Sequence, residues 1–244
     1  MAKQVIFQDL GAISYKEAWD YQQLLLEKAT ARKRSNRGLL PSDEHYQIPH
    51  HYLLFCEHPP VYTLGRKGDL AHLLLDEQGL QDEGIEFYKI NRGGDITYHG
   101  PGQLVVYPIF DLESFFTDVH RYVRTLEEVI IKTLSIYGLE GYREKGYTGV
   151  WLKETQVLPK RKICAIGVHL SRWVTMHGLA FNVHPNLKHF NHIVPCGIQD
   201  EDKAVSSLVL ELNRSIDMVE VKEKVKNEFA KQFDFEFAPS TTSK

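Results

Sequence analysis

The longest regular pattern in the chain is an apolar stripe between Asp118 and Tyr137. Val119, Val123, Leu126, Val129, Ile130, Thr133 and Leu134 recur every three or four residues, which gathers them on one face of a helix. Gly138 follows as a stop signal. A second stripe of Ala18, Leu25, Leu26 and Ala29 predicts a helix running to about Arg32. It opens with Ser14 and Glu17, the spacing of a capping box. A third helix is expected over Met218–Phe233, with Val221, Val225, Phe229 and Phe233 on one side. Ser206 reads as the cap of a short helix through Leu212.

Elsewhere the apolar runs are shorter and predict strands. Gln4–Gln8, His51–Glu57, Val61–Leu64, Gly84–Ile90, Leu104–Phe110 and Gly149–Lys153 fit that reading. Cys56 is most simply a small core residue. Lys162–Leu170 and Trp173–Val183 are separated only by Ser171 and Arg172 and predict a hairpin. Leu70–Leu75 reads as a helical turn and Gln156–Arg161 as a turn around Pro159. The basic cluster Arg32, Lys33, Arg34 and Arg37 leads into a polar loop marked by Pro41 and Pro49. No repeat or interior linker interrupts this order, so one α/β domain is expected over residues 1–244, frayed at about 239–244.

One stretch stands apart. Between Arg92 and Gly102, four glycines (Gly93, Gly94, Gly100, Gly102) and Pro101 surround Asp95, Thr97, Tyr98 and His99. Glycine lets a ligand approach the main chain, so this reads either as a polar rim exposing backbone beside a buried strand or as a plain hairpin with two glycine turns.

Composition narrows the class. Hydrophobic residues make up 43% and charged residues 25% of the chain, the mixture of a soluble globular protein. A net charge of −3 argues against a general nucleic-acid binder. No apolar run approaches the ~20 residues needed to span a bilayer, and the first residues lack a secretory pattern. A cytoplasmic location is expected. The three cysteines do not make a disulfide framework.

Two thiols are candidate nucleophiles. Cys164 lies two residues after Lys162, on the same face of a strand. Cys196 lies in a Pro-Cys-Gly turn, and reactive groups are often carried on loops held by a scaffold. Cys196 ranks slightly higher on that ground. His177, His184, His189 and His192 fall within sixteen residues. Their spacing lacks the HExxH or CxxC form that makes a metal site specific, so no metal is expected. His99 is better suited to hydrogen-bonding a substrate or orienting the backbone. Neither a phosphate loop nor a Gly-x-G-x-x-G fingerprint is present. An acylating enzyme without a nucleotide must receive its acyl group already activated.

Four ordered blocks carry a resemblance: HPPVYTLGR (His58–Arg66), RGGDITYHGPGQLVVYPI (Arg92–Ile109), KICAIGVHLSRWVTMHGLAFNV (Lys162–Val183) and PCGI (Pro195–Ile198). Together they resemble the lipoyl(octanoyl) transferase family. The resemblance implies the fold of biotin and lipoate protein ligases, a curved mixed α/β (α+β) sheet flanked by helices. It implies transfer of octanoyl from octanoyl-acyl carrier protein to a lysine on lipoyl domains of 2-oxoacid dehydrogenases and glycine cleavage H protein, without a cofactor. By position, Cys196 becomes the acyl-thioester cysteine and Lys162 the residue that lowers its pKa. Substrate contacts fall on Arg92, Gly93, Gly94, Asp95, Ile96, Thr97, Tyr98 and His99, on Ala165, Ile166 and Gly167, and on Gly178, Leu179 and Ala180. Leu179, Ile166, Val168, Tyr98 and Leu104 are candidate walls for the acyl tail. Cys164 replaces a more usual alanine, and Tyr107 and Pro108 follow Val106, where glycine is common in the family. Arg66, Lys67, Arg172 and the Arg32–Arg37 cluster are candidates for docking an acidic carrier. The rival readings are an ATP-dependent lipoate ligase of the same fold and a catalytically idle binding module.

Overall fold

The computed structural model describes residues 3–194 and 203–239. The Pro-Cys-Gly turn with Cys196 and the tail from residue 240 lie outside the described residues. In chain order the elements are β1 (Gln4–Ala12), α1 (Tyr15–Ser35), β2 (His51–Glu57), β3 (Val61–Leu64), α2 (Glu77–Asp82), β4 (Glu86–Lys89), β5 (Ile96–His99) and β6 (Gln103–Ile109). Then follow α3 (Val119–Ile136), β7 (Gly141–Tyr142), β8 (Val150–Leu152), β9 (Lys160–Ser171) and β10 (Val174–Asn182). The last are β11 (Lys203–Val205), α4 (Leu208–Leu212), α5 (Met218–Phe233) and β12 (Glu236–Phe237).

Among the described residues, nine strands form one mixed sheet in the order β12-β1-β2-β6-β10-β9-β8-β7, with β11 added to β9. β1 runs parallel to β2 and β12, while β2, β6, β10, β9 and β8 pair antiparallel. β3, β4 and β5 make a separate small sheet.

The central strands are buried on both faces, and period-2 alternation divides their side chains between two layers. Leu53, Phe55, Leu104, Val106 and Phe181 join the apolar faces of α3 and α5. Leu54, Cys56, Val105, Tyr107 and Ala180 pack with Ala18, Leu25 and Leu26 of α1. The α1 capping box forms as expected: the Glu17 N–H donates to Ser14 Oγ at 3.2 Å, and the Ser14 N–H to the Glu17 carboxylate at 3.3 Å. Ser207, one residue after the expected Ser206, caps α4. Ser206 is drawn into the sheet instead, where its N–H donates to the Lys162 carbonyl at 2.9 Å. Among the described residues no helix is long and apolar enough to cross a membrane.

Candidate active site

A cavity of ≈ 420 Å³ is walled by the β9–β10 hairpin and the glycine-rich stretch, a size in the range of about 300–1,000 Å³ usual for small-molecule pockets. Its lining draws on both layers: Tyr15 and Tyr107 come from the α1 side, Val123 and Leu179 from the α3 side.

The stretch read as a rim is in part a strand. Ile96–His99 pairs with β3 and is buried throughout. Alternation sends Thr97 and His99 to the cavity. Ile96 and Tyr98 face the other way, among Tyr62, Phe190 and Ile193. Of the expected contact residues, Arg92, Gly93, Gly94, Asp95, Thr97, His99, Ala165, Ile166, Gly167, Gly178, Leu179 and Ala180 line the cavity, as does Lys162. Val168 lines it too, whereas Leu104 sits in the core with α3. Lys67, expected on a docking surface, is at the cavity wall.

Close backbone packing explains two of the glycines. Gly167 and Gly178 face each other across β9 and β10. A Cβ on Gly167 would lie 2.7 Å from the Gly93 carbonyl oxygen, and one on Gly178 2.1 Å from that of Val106. The loop is pinned to β9 by the Gly93 N–H, which donates to the Val168 carbonyl at 2.9 Å. Arg92 clamps its other side: its guanidinium donates to Thr63 Oγ1 at 2.9 Å and to the Gly93 carbonyl at 3.0 Å. His72 Nδ1 lies 2.5 Å from the Asp95 carboxylate.

The buried histidines and tyrosines in and behind the cavity wall are neutral. Gln103 Nε2 donates to the Tyr98 carbonyl and to Asn182 Oδ1, so its Oε1 accepts from His99 Nδ1 at 2.7 Å. That assigns the proton to Nδ1 and leaves Nε2 as an acceptor, 3.4 Å from Thr63 Oγ1. His58 Nδ1 donates to the Ile13 carbonyl at 2.8 Å, so its Nε2 accepts from the Tyr107 hydroxyl at 2.7 Å. Burial pushes His99 down to about 3 and His58 down to about 4. It raises the Tyr15 and Tyr107 phenols. His177 is buried with a φ of +61° inside β10, a conformation that non-glycine residues rarely adopt. It is held there by its N–H donating to Gln22 Oε1 at 3.0 Å and by Nε2, 3.0 Å from Asn91 Oδ1. Burial pushes it down to about 3 as well.

Lys162 is 8% exposed, with Nζ 4.8 Å from the centre of the Trp151 ring. Cys164 does not share the cavity with it. Its thiol is fully buried in the core against the α3 side and raised by that burial. The pairing of β8 with β9 shifts register between Val150 and Trp151, next to these two residues, so simple alternation does not hold there.

Cys196 lies outside the described residues, but the chain on both sides of it is tied to the cavity. The Val194 N–H donates to the carbonyl of His72 at 2.8 Å, and His72 in turn holds Asp95. On the far side, Val205 pairs with Lys162.

Several lining residues carry no recognisable sequence signal. Tyr15 and Tyr107 look like core aromatics, and His177 entered only through its spacing to other histidines. Tyr147 and Thr148 line the cavity from an irregular loop. That loop is anchored by Glu127, whose carboxylate accepts from Gly149 N–H at 3.1 Å and from Arg143 Nε at 3.0 Å. Among the described residues, His177, His184, His189 and His192 do not form one ligand set.

The model of the lipoyl protein ligase A/B catalytic domain matches residues 14–230. The chain belongs to this family. Within it, the chain is 54% identical over 221 residues to an octanoyltransferase of Cytophaga hutchinsonii, covering 91% of this chain and 89% of that one. It is 53% identical over 235 residues to an octanoyltransferase of Flavobacterium psychrophilum, covering 96% and 98%. Among solved structures it resembles a chain of the archaeal lipoylation system of Thermoplasma acidophilum, a bi-partite lipoate protein ligase and its E2 lipoyl domain. The TM-score is 0.67 at 17% identity, over 100% of this chain and 88% of that one. The lipoate-ligase fold therefore holds for this member of the A/B family.

Proposed function

We propose that this chain is an octanoyltransferase of lipoate biosynthesis. It takes octanoyl from octanoyl-acyl carrier protein, holds it as a thioester on Cys196 and passes it to a lysine of a lipoyl domain. The observation that carries this reading is the likeness to octanoyltransferases over nine-tenths of the chain, 54% identical in the first case. The bracketing of the Cys196 segment by cavity residues supports it: two peptide units separate Cys196 from Val194, a reach of about 7 Å.

In the first half-reaction the Cys196 thiolate attacks the carrier-bound thioester carbonyl. Backbone N–H groups of the glycine-rich stretch or beside Cys196 stabilise the oxyanion. The carbon–sulfur bond to the pantetheine arm breaks, and Lys162 gives that thiolate its proton. One thioester replaces another, so the step is nearly thermoneutral. In the second half-reaction the neutral amine of the target lysine attacks the acyl-enzyme, Lys162 takes the amine proton, and Cys196 leaves as thiolate. Forming an amide from a thioester is downhill, which removes any need for ATP.

The apolar part of the cavity wall suits an acyl tail. Ile166, Val168 and Leu179 give it apolar contacts. At roughly 0.8 kcal/mol per buried methylene, its six methylenes contribute about 5 kcal/mol. The partners are octanoyl-acyl carrier protein and the lipoyl domains of 2-oxoacid dehydrogenases and glycine cleavage H protein, in the cytoplasm.

Intact mass spectrometry after incubation with octanoyl carrier protein, without ATP, tests the proposal. Wild type should gain one octanoyl group and Cys196→Ala none. An adduct that persists in Cys196→Ala and vanishes in Cys164→Ala would overturn the assignment, and dependence on ATP would overturn the class.

A further inference from the structure

Away from the cavity, three metal-ligating side chains from distant parts of the sequence meet beside the small sheet. Glu83 caps the end of α2. His189 and His192 lie on a short 3-10 helix, Leu187–His192. That helix has three residues per turn, so side chains at i and i+3 eclipse, and the two imidazoles share one side. Their ring centres are 6.2 Å apart at 81°. Glu83, His189 and His192 each present a ligand atom, and these atoms all lie within 4.8 Å of one another. A second observation concerns the rings themselves. Nδ1 of His189 and Nδ1 of His192 are both buried with no hydrogen-bond partner among the described residues. A buried polar atom left unsatisfied costs about 1–3 kcal/mol, and two neighbouring ones call for an explanation.

We propose that Glu83, His189 and His192 bind a first-row divalent metal ion, zinc foremost. Two imidazoles and one carboxylate, with water in a fourth position, make a familiar zinc ligand set. A single carboxylate is too few for a calcium cage, and imidazole favours zinc, nickel and copper over magnesium. Tetrahedral zinc with bonds of about 2.0–2.2 Å places its ligand atoms about 3.3 Å apart. The trio must therefore close by at most about 1.5 Å from its present spread. The exposed Glu83 side chain can move toward the imidazoles, whereas His189 is held. Its ring stacks on Tyr98 at 4.9 Å, and its carbonyl accepts from the Tyr62 hydroxyl at 2.6 Å. The ion acts as a clip. It joins the end of α2, which leads into β4, to the 3-10 helix whose last residue stands four positions before Cys196 in the sequence. It takes no part in acyl transfer, and the proposal does not depend on the octanoyltransferase reading.

The test uses untagged full-length protein treated with a chelator and dialysed. Co²⁺ is titrated by visible absorption and Zn²⁺ by calorimetry. Wild type should bind one equivalent of each, with the intense absorption of tetrahedral Co²⁺, and Zn²⁺ should raise its melting temperature. Loss of a direct ligand should cost at least the upper end of the 10- to 100-fold range known for outer-shell partners, so about a hundredfold or more. Glu83→Gln and His192→Ala carry the comparison, since His189 also packs on Tyr98, and circular dichroism confirms that both fold. Failure of the wild type to bind a stoichiometric ion overturns the proposal, as does undiminished binding by the Glu83→Gln/His192→Ala double variant.

Discussion

Val205 stands opposite Lys162 in parallel register, just beyond the last β10–β9 pair, Phe181 with Cys164. β11 thus takes over the edge of β9 where β10 stops, and the chain that follows Cys196 in sequence is hydrogen-bonded to the backbone of the lysine proposed to serve it. The relationship could not be read from the thirty-four positions that separate the amine from the sulfur. It depends on a strand of three residues whose only sequence mark is its proximity to Ser206.

Lys162→Met should reduce octanoyl transfer by roughly 10²–10⁴-fold, the usual contribution of a positioned proton donor and acceptor. Methionine keeps an apolar stem and a sulfur against Trp151, so the urea midpoint should change little. Steady-state transfer assays alongside urea unfolding separate the two effects. A loss below tenfold with unchanged stability would remove Lys162 from the chemistry.

Acid should destabilise the fold well before the carboxylates titrate. Burial holds His51 and His58 down to about 4, and His99 and His177 down to about 3, from an ordinary value of 6.5. On unfolding each regains its ordinary affinity, so between these values the unfolded chain binds more protons than the native one. Their contribution is complete above about pH 6.5 and is lost as the pH falls toward 4 and then 3. Thermal melts from about pH 7 to about pH 4 should show a steady decline. His58→Gln should flatten that slope, and a level wild-type profile would contradict the buried neutral histidines.

Gly178→Ala should destabilise the protein by about 1–3 kcal/mol, the range for forcing an extra methyl into a packed core. The new Cβ would lie 2.1 Å from the Val106 carbonyl oxygen and 2.8 Å from Pro108 Cδ, so β6 and β10 must part. Urea unfolding gives the stability. Transfer should fall with it, because Leu179 and Ala180 line the cavity next in sequence. An unchanged midpoint would mean that the sheet absorbs the methyl without cost.

Glu127→Gln should lower stability by about 1–3 kcal/mol through its weakened bonds to Arg124, Arg143 and Gly149. Its larger effect should be on the loop carrying Tyr147 and Thr148. The KM for octanoyl carrier protein should rise while kcat changes less. The reverse split would assign Glu127 to the chemical step rather than to loop placement.

How far the chain could be read depended on whether each signal was local. The capping box of Ser14 and Glu17 and the stripe of α3 are set by neighbours three and four residues apart, and both form as the sequence implies. The β9–β10 hairpin was equally plain from its two-residue break. Ile96–His99 was harder: Thr97 and His99 are polar because they face a cavity, and a polar side chain looks the same in sequence whether it meets solvent or a binding site. Tyr98 followed from the same confusion, since only the strand's alternation sends it away from the cavity. Tyr107 gave no warning at all. Its hydroxyl has meaning only beside His58, which is brought there by the pairing of β2 with β6.

The cavity wall is collected from Tyr15 through Ala180. A nascent chain still lacking β9 and β10 has no closed cavity, however well its first helix has formed. Whatever small molecule the cavity takes therefore cannot guide the early stages of biosynthetic folding.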